Sequence, residues 1–459
     1  MTDTLAPVDD TLAALDARLA GVEAFNTQVS QAIESLVSSV VEKSQELATL
    51  QVRLRETEQQ LNLERSVRDL ERTSRLHPKE RCVVFVGTVY LGDNVKYAWL
   101  AFRERARADG IACWFLPQDE HQEQLVRGLG DSCLPHRYAD WDAEHLHAAL
   151  AAAVVVTSDH FMNPNPYAAA LLAGARHVQL WHGVSIKEIG LRNLAPLKHM
   201  SPRYARVLAT CGPYASFVGT AANAEGEWRR WFGFERYAAL GYARNDVLHR
   251  EPTEGDLLNV DRAAWQRARE TRAAGGRVIL YAPTFRDANR AKWMVEAGVG
   301  RVVREVARRG DCLLVNLHPV EQPHAAELAQ AMPGVNFVTP RTDLYPLLRE
   351  SDALVTDYSS VMFDYLHLDR PIVLFRPDHR DYTEKSRKLF DAKLAVPPGP
   401  VAADAQALLN LLAKKDMGAT AHREARQTLR ASLYDHHDGR SGERLADLIL
   451  DELARAGAA

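Results

Sequence analysis

The residues of this chain that could do chemistry stand directly after runs of apolar residues. HVQLW (177–181) is followed by His182-Gly183-Val184-Ser185-Ile186-Lys187, and RVILYAP (277–283) by Thr284-Phe285-Arg286-Asp287. CLLVNL (312–317) is followed by His318-Pro319, ALVT (353–356) by Asp357-Tyr358-Ser359-Ser360, and YAAL (237–240) by Gly241-Tyr242-Ala243-Arg244-Asn245-Asp246. A histidine in the position of His182 can take a proton from an attacking hydroxyl, since an unperturbed imidazole titrates near pH 6.5, and Gly183 lets a ligand approach the backbone closely. Pro319 holds His318 out of helical geometry, where it could stabilise phosphate charge or give a proton to a leaving group. Arg244 and Arg286 could each fork onto a phosphate. Ser359 and Ser360 lie where a strand turns into a helix, a place that favours anions without a glycine-rich loop. Each residue alone also has an ordinary structural explanation: a hydrogen-bonded histidine, a serine N-cap, a surface ion pair. Their shared place after a strand is what points to a phosphate-handling site.

The elements that must position them alternate along the chain. CVVFVG (82–87), IACWFL (111–116), AAVVVT (152–157), HVQLW, ARVLAT (205–210) and YAAL read as one series of buried strands, with a helix over 94–109. RVILYAP, CLLVNL, VNFV (335–338), ALVT and PIVLF (371–375) form a second series. Continuous apolar strands separated by helices indicate parallel sheets covered on both faces. The predicted fold class is α/β, a pair of Rossmann-like parallel-sheet domains over 79–246 and 247–459, joined by a helix-like stretch at 251–274. Ligands of such sheets bind beyond the carboxyl ends of the strands, so the polar residues above would face one crevice. The segment 403–459 reads as helices interrupted by DHHDGRSGER, and His436-His437 in it reads as a polar loop because adjacent residues do not share a helix face.

Residues 1–78 are different. Leu12, Leu15, Leu19, Val22, Asn26, Val29, Ile33, Leu36, Val40, Lys43, Leu47, Leu50, Leu54, Thr57 and Leu61 alternate spacings of three and four. This period of 3.5 predicts a coiled-coil helix and self-association through residues 12–61, the alternative being a long helix folded back on its own globular part. Asn26 and Lys43 on the seam would set register and strand number.

Composition excludes several classes. With 46% hydrophobic and 25% charged residues, the 459-residue chain is an ordinary globular one. A net charge of −4 gives no electrostatic preference for nucleic acid as a partner. Five dispersed cysteines without a CxxC pair suit a reducing compartment and give no metal site. There is no apolar run long enough to span a bilayer, and MTDTLAPVDD lacks a signal-peptide layout, so the expected location is cytoplasmic. HExxH, GxSxG, the Walker lysine motif and a dinucleotide glycine fingerprint are all missing.

At GDNVKYAWL (92–100), LWHGVSIKEIG (180–190), GYARND (241–246), YAPTFRD (281–287), NLHP (316–319) and VTDYSSVMFDYL (355–366) the chain resembles the CDP-glycerol glycerophosphotransferase family, which builds teichoic acids and related capsule polymers. The resemblance implies a GT-B architecture with two Rossmann-like domains, and transfer of glycerol phosphate, or a similar polyol phosphate, from a CDP-polyol donor to a hydroxyl with release of CMP. It implies that His182 and His318 are catalytic and that Thr284, Arg286, Asp357, Ser359 and Ser360 lie on the donor side; Gly183, Lys187, Arg244, Asn245 and Asp246 are further substrate-binding candidates from their place after the strands. It further implies a lipid-linked or oligomeric polyol-phosphate or glycan acceptor and peripheral contact with the inner face of the membrane. Dependence on a divalent metal is left open. Two features depart from the family pattern: TEKSRKLFDAKLAV (383–396) and the N-terminal coiled coil. Two other readings are a GT-B glycosyltransferase or epimerase using a UDP-sugar, and a coiled-coil scaffold with a degenerate transferase domain.

Overall fold

The computed structural model describes residues 6–159, 166–186, 212–284, 286, 292–318, 321–380, 393 and 396–457. Two compact units divide the chain, residues 1–69 and 70–459.

The first unit is helical throughout its described length, as part of α1 (Ala6–Leu76). Every residue from Asp9 to Asn62 is exposed, apolar seam included: Leu12 is 54% accessible, Ile33 55% and Leu36 65%. A run of 71 helical residues is far longer than the mean of about 11–12 for globular proteins. Neither Pro nor Gly interrupts it after Gly21, and good helix formers fill it.

The second unit holds two parallel sheets. β1 (Glu80–Val86), β2 (Ala112–Leu116), β3 (Ser132–Cys133), β4 (Ala152–Thr157), β5 (Arg176–Gln179), β6 (Tyr214–Gly219) and β7 (Phe234–Ala239) form a seven-stranded sheet in the order β3-β2-β1-β4-β5-β6-β7. β8 (Val278–Ala282), β9 (Cys312–Val315), β10 (Asn336–Phe337), β11 (Ala353–Thr356), β12 (Ile372–Phe375) and β13 (Val401–Ala402) form a six-stranded one in the order β10-β9-β8-β11-β12-β13. Every pairing is parallel, so each sheet gathers all its carboxyl ends on one edge. The predicted α/β class and pair of Rossmann-like sheets are therefore observed. β4 and β11 are buried along their whole length, as strands covered on both faces must be.

Local chemistry sets the helix starts. Asp119, Asp142, Asp261 and Asp404 each accept a backbone N–H from the first turn of the helix that follows, satisfying donors that would otherwise be orphaned. In the connection predicted as helical over 251–274, helix occupies only Arg262–Ala273; Asp261 caps it, and Pro252 and the turn around Asp256 hold the preceding residues out of it. β6 escapes a search for apolar runs because YASFVG has Ser216 at its centre. That serine is buried, and its hydroxyl donates to Glu452 Oε1 at 2.7 Å. ARVLAT (205–210) lies outside the described residues. The helix Ser441–Arg455 returns to the first sheet, packing on α2 (Asp93–Ala108) and reaching β5 through Arg176 Nε, which donates to Glu452 Oε2 at 2.5 Å.

Candidate active site

The carboxyl edge of the second sheet brings three adjacent strand ends together, β9, β8 and β11. They carry His318, Thr284 with Arg286, and Asp357 with Ser359 and Ser360. Asp357 is fully buried and faces its own protein: Oδ1 accepts from the Thr284 N–H at 2.9 Å and the Tyr358 N–H at 2.5 Å, and Oδ2 lies 2.9 Å from Arg286 Nη1. Arg286 also grips Asp378 with two parallel bonds, Nε to Oδ2 at 2.5 Å and Nη2 to Oδ1 at 2.9 Å, and lies 4.4 Å over the Trp293 ring. Burial opposes its charge, but Asp378 and Asp357 outweigh burial and raise its pKa, so the guanidinium is permanently cationic. A fork of this kind is the geometry that also takes a phosphate. The Thr284 hydroxyl is buried and has no hydrogen-bond partner among the described residues. Ser360 is the N-cap of a helix of only five residues, Val361–Tyr365, and its side chain makes no capping bond. The expected helix dipole is thus short, and what Ser359 and Ser360 present is hydroxyl groups at a strand-to-helix turn.

His182 stands beyond β5 on the first sheet, half-exposed. Its Nδ1 lies 3.3 Å from the Ser158 carbonyl oxygen and 3.8 Å from Asp159 Oδ1, both just past the end of the neighbouring β4. A carbonyl only accepts, so Nδ1 carries the proton toward it and Nε2 is left with a lone pair, the tautomer a base requires. The ring stacks on Trp181 with centroids 4.1 Å apart. Trp181 itself has a left-handed backbone, φ +54, a strained conformation for a tryptophan. It is held there by its N–H to Gln179 Oε1 at 2.9 Å, by Asn94 Nδ2 donating to its carbonyl at 2.9 Å, and by packing against Trp228 and Phe232. Gly183 follows with φ +147, where a side chain is disfavoured. A Cβ there would meet Arg244 Nη2 at 3.1 Å and Ser360 Oγ at 3.4 Å, so this glycine lets a loop of the second sheet close onto the first.

Arg244 and Asn245 are buried, and Asp246 half-buried, to a degree the sequence did not suggest. Arg244 donates to the His182 carbonyl at 2.8 Å, to Asp93 Oδ1 at 2.5 Å and to Asp364 Oδ2 at 2.8 Å. Asn245 Nδ2 reaches Asp364 Oδ1 at 3.1 Å. Asp246 accepts the N–H groups of Ser441 and Gly442 at 2.9 and 2.7 Å, and burial pushes its pKa up to about 6. These three residues fasten the backbone behind His182 to the second sheet and to the helix Ser441–Arg455. Lys187 lies outside the described residues. Asp93, Asn94, Ser158, Asp159, Asp364 and Asp378 were not singled out from sequence; Asp93, Asn94 and Asp364 fall inside the quoted motifs, and that was the available signal. Among the described residues no group of three or more His, Cys, Asp or Glu side chains could hold a metal.

Comparison with known proteins agrees with this fold. A family model described as CDP-Glycerol:Poly(glycerophosphate) glycerophosphotransferase matches residues 91–451. The teichoic acid ribitol-phosphate primase of Bacillus spizizenii is 27% identical over 280 residues, covering 59% of this chain and 68% of that protein. The teichoic acid glycerol-phosphate primase of Bacillus subtilis is 26% identical over 238 residues, 51% of this chain and 58% of its own length. Among solved structures, the wall teichoic acid polymerase TagF superposes with a TM-score of 0.64 at 20% identity, over 88% of this chain and 98% of that one, and shares the GT-B-like fold. With most of its length matched by the family model, the chain belongs to the CDP-glycerol:poly(glycerophosphate) glycerophosphotransferase family.

Proposed function

We propose that this chain moves glycerol phosphate, or a closely similar polyol phosphate, from its CDP ester to a hydroxyl of a teichoic-acid-like or capsular polymer. Glycerophosphate transfer from CDP-glycerol is the reaction that names the family. In this reading the acceptor oxygen attacks the β-phosphorus as His182 Nε2 takes its proton. The bond from that phosphorus to the oxygen bridging the α-phosphate breaks, and CMP leaves with the bridging oxygen. Arg286, Thr284, Ser359 and Ser360 balance the diphosphate charge, with His318 on the same edge aiding the departing CMP. Asp357 orients Thr284 and Arg286 from behind, while Arg244, Asn245 and Asp246 position the His182 loop, and Lys187 completes the anion contacts. Residues 79–246 take the acceptor side and residues 247–459 the donor side.

The observation that supports the reading is the Nδ1 contact of His182 with the Ser158 carbonyl, which leaves the Nε2 lone pair available for the proposed base role. The test is CMP release by the full chain offered CDP-glycerol, CDP-ribitol or UDP-sugars with a glycerol-phosphate-primed acceptor, with magnesium and with a chelator. CMP from a CDP-polyol is expected; turnover of a UDP-sugar alone would keep the fold and overturn the chemistry.

No helix among the described residues is long and apolar enough to cross a membrane. A cytoplasmic enzyme meeting a lipid-linked acceptor at the membrane's inner face, self-associated through residues 12–61, fits that reaction.

A further inference from the structure

We infer that α1 joins two copies of this chain as a parallel, in-register, two-stranded coiled coil. The inference rests on the self-association reading above and gives it a strand number, a direction and a register. In heptad terms Leu12, Leu19, Asn26, Ile33, Val40, Leu47, Leu54 and Leu61 occupy position a, and Leu15, Val22, Val29, Leu36, Lys43, Leu50 and Thr57 occupy position d. Their apolar members are 39% to 65% exposed, a continuous apolar stripe that water should not be left to cover.

Charge complementarity selects the occupant and its direction. In a parallel pair each g residue meets the e residue five positions later on the partner. Only two such pairs are charged on both sides, Arg18 with the partner's Glu23 and Arg53 with the partner's Glu58, and both join opposite charges. None of the remaining g–e pairs over this span sets like charges together. The antiparallel register that matches Asn26 with the partner's Lys43 instead brings Arg18 beside the partner's Arg53. Asn26 at an a position can pair with its own copy across a two-fold axis, which favours two strands in register. Lys43 already pairs with Glu46 one turn on, Nζ to Oε2 at 2.8 Å, so its charge is partly met within its own helix.

The experiment uses the full chain, whose only cysteines are at 82 and beyond. Light scattering should give about twice the chain mass of 51.2 kDa. Oxidation of Leu15→Cys, or independently Leu50→Cys, should yield a disulfide-linked dimer on a non-reducing gel, because parallel in-register seam residues approach within disulfide reach. Arg18→Glu with Arg53→Glu should weaken self-association at least tenfold, and mixing with a Glu23→Arg, Glu58→Arg chain should restore pairing as a heterodimer. A monomer by light scattering would overturn the self-association reading and this inference together. A dimer that cross-links only when Leu15→Cys and Leu54→Cys chains are mixed would be antiparallel, and a trimeric mass would mean a third strand; either would overturn this inference alone.

Discussion

The base role proposed for His182 requires one ring nitrogen to be held, and the Ser158 carbonyl 3.3 Å from Nδ1 is placed to hold it. His182→Ala should slow CMP release by a factor of 10² or more while CDP-glycerol still binds, which isothermal titration beside the turnover assay checks. Unchanged turnover would remove His182 from the mechanism. Gly183 gives a second residue-level prediction. At φ +147, with Arg244 Nη2 only 3.1 Å from where a Cβ would stand, Gly183→Ala should cost about 1–3 kcal/mol in urea unfolding and should depress turnover by displacing the neighbouring histidine. Both residues were legible in sequence, from a histidine and a glycine placed after an apolar strand. Ser158 and Asp159 were not, because their tie to His182 depends on β4 lying beside β5 in the sheet order.

Between elements, one tie is a buried charge. Asp364 accepts from Arg244, Asn245, Tyr345 and Tyr434, four donors drawn from three separate stretches of chain. Breaking a buried pair leaves an uncompensated charge, so Asp364→Ala should destabilise the second unit by about 3–5 kcal/mol, read as a lower urea midpoint. Packing on the first sheet gives a pH prediction. His177 on β5 is half-buried, and the loss of solvation alone pushes its pKa down to about 4, against about 6.5 for a free imidazole. Between those values the unfolded chain binds the extra proton, so stability falls as pH falls, by about 1.4 kcal/mol per pH unit for this group. His367, pushed down to about 3 by burial and by the nearby His249 and His437, acts in the same direction. His177→Gln should therefore flatten the loss of melting temperature between pH 6.5 and 4; an unchanged slope would mean that His177 is protonated in the fold.

At the scale of the whole molecule, the chain divides into residues 1–69 and 70–459, and in the reading proposed above the first serves assembly and the second the chemistry. Exposed ion pairs are each worth at most about 1 kcal/mol and are screened by salt, whereas each apolar seam side chain buried contributes about 1.5–3 kcal/mol. In the paired helix, charges would thus choose direction while the seam supplies stability. The dimer should persist in 1 M NaCl by light scattering, and Leu36→Glu with Leu47→Glu should dissolve it. Dissociation by salt alone would show that the seam is not the interface.

Periodicity was enough to assign the helix of residues 12–61 and most strands of the two sheets, though not β3, β6 or β13, because a 3.5-residue repeat and unbroken apolar runs each suit one geometry in water. Strand ends then pointed to His182, His318, Arg286 and the Asp357–Ser360 turn, since open parallel sheets expose function at their carboxyl edges. What sequence could not assign were partnerships across distance. It did not tell that Arg244 and Asp246 would act as fasteners, that Asp378 would take the Arg286 fork, or that the helix Ser441–Arg455 would return to the first sheet. Nor did it place Ser216 in a strand, for a buried hydroxyl is tolerated only where a partner such as Glu452 arrives from elsewhere in the chain. Local pattern follows from neighbours a few residues apart. The identity of a polar group's partner follows from which strands lie side by side, and only the tertiary structure decides that.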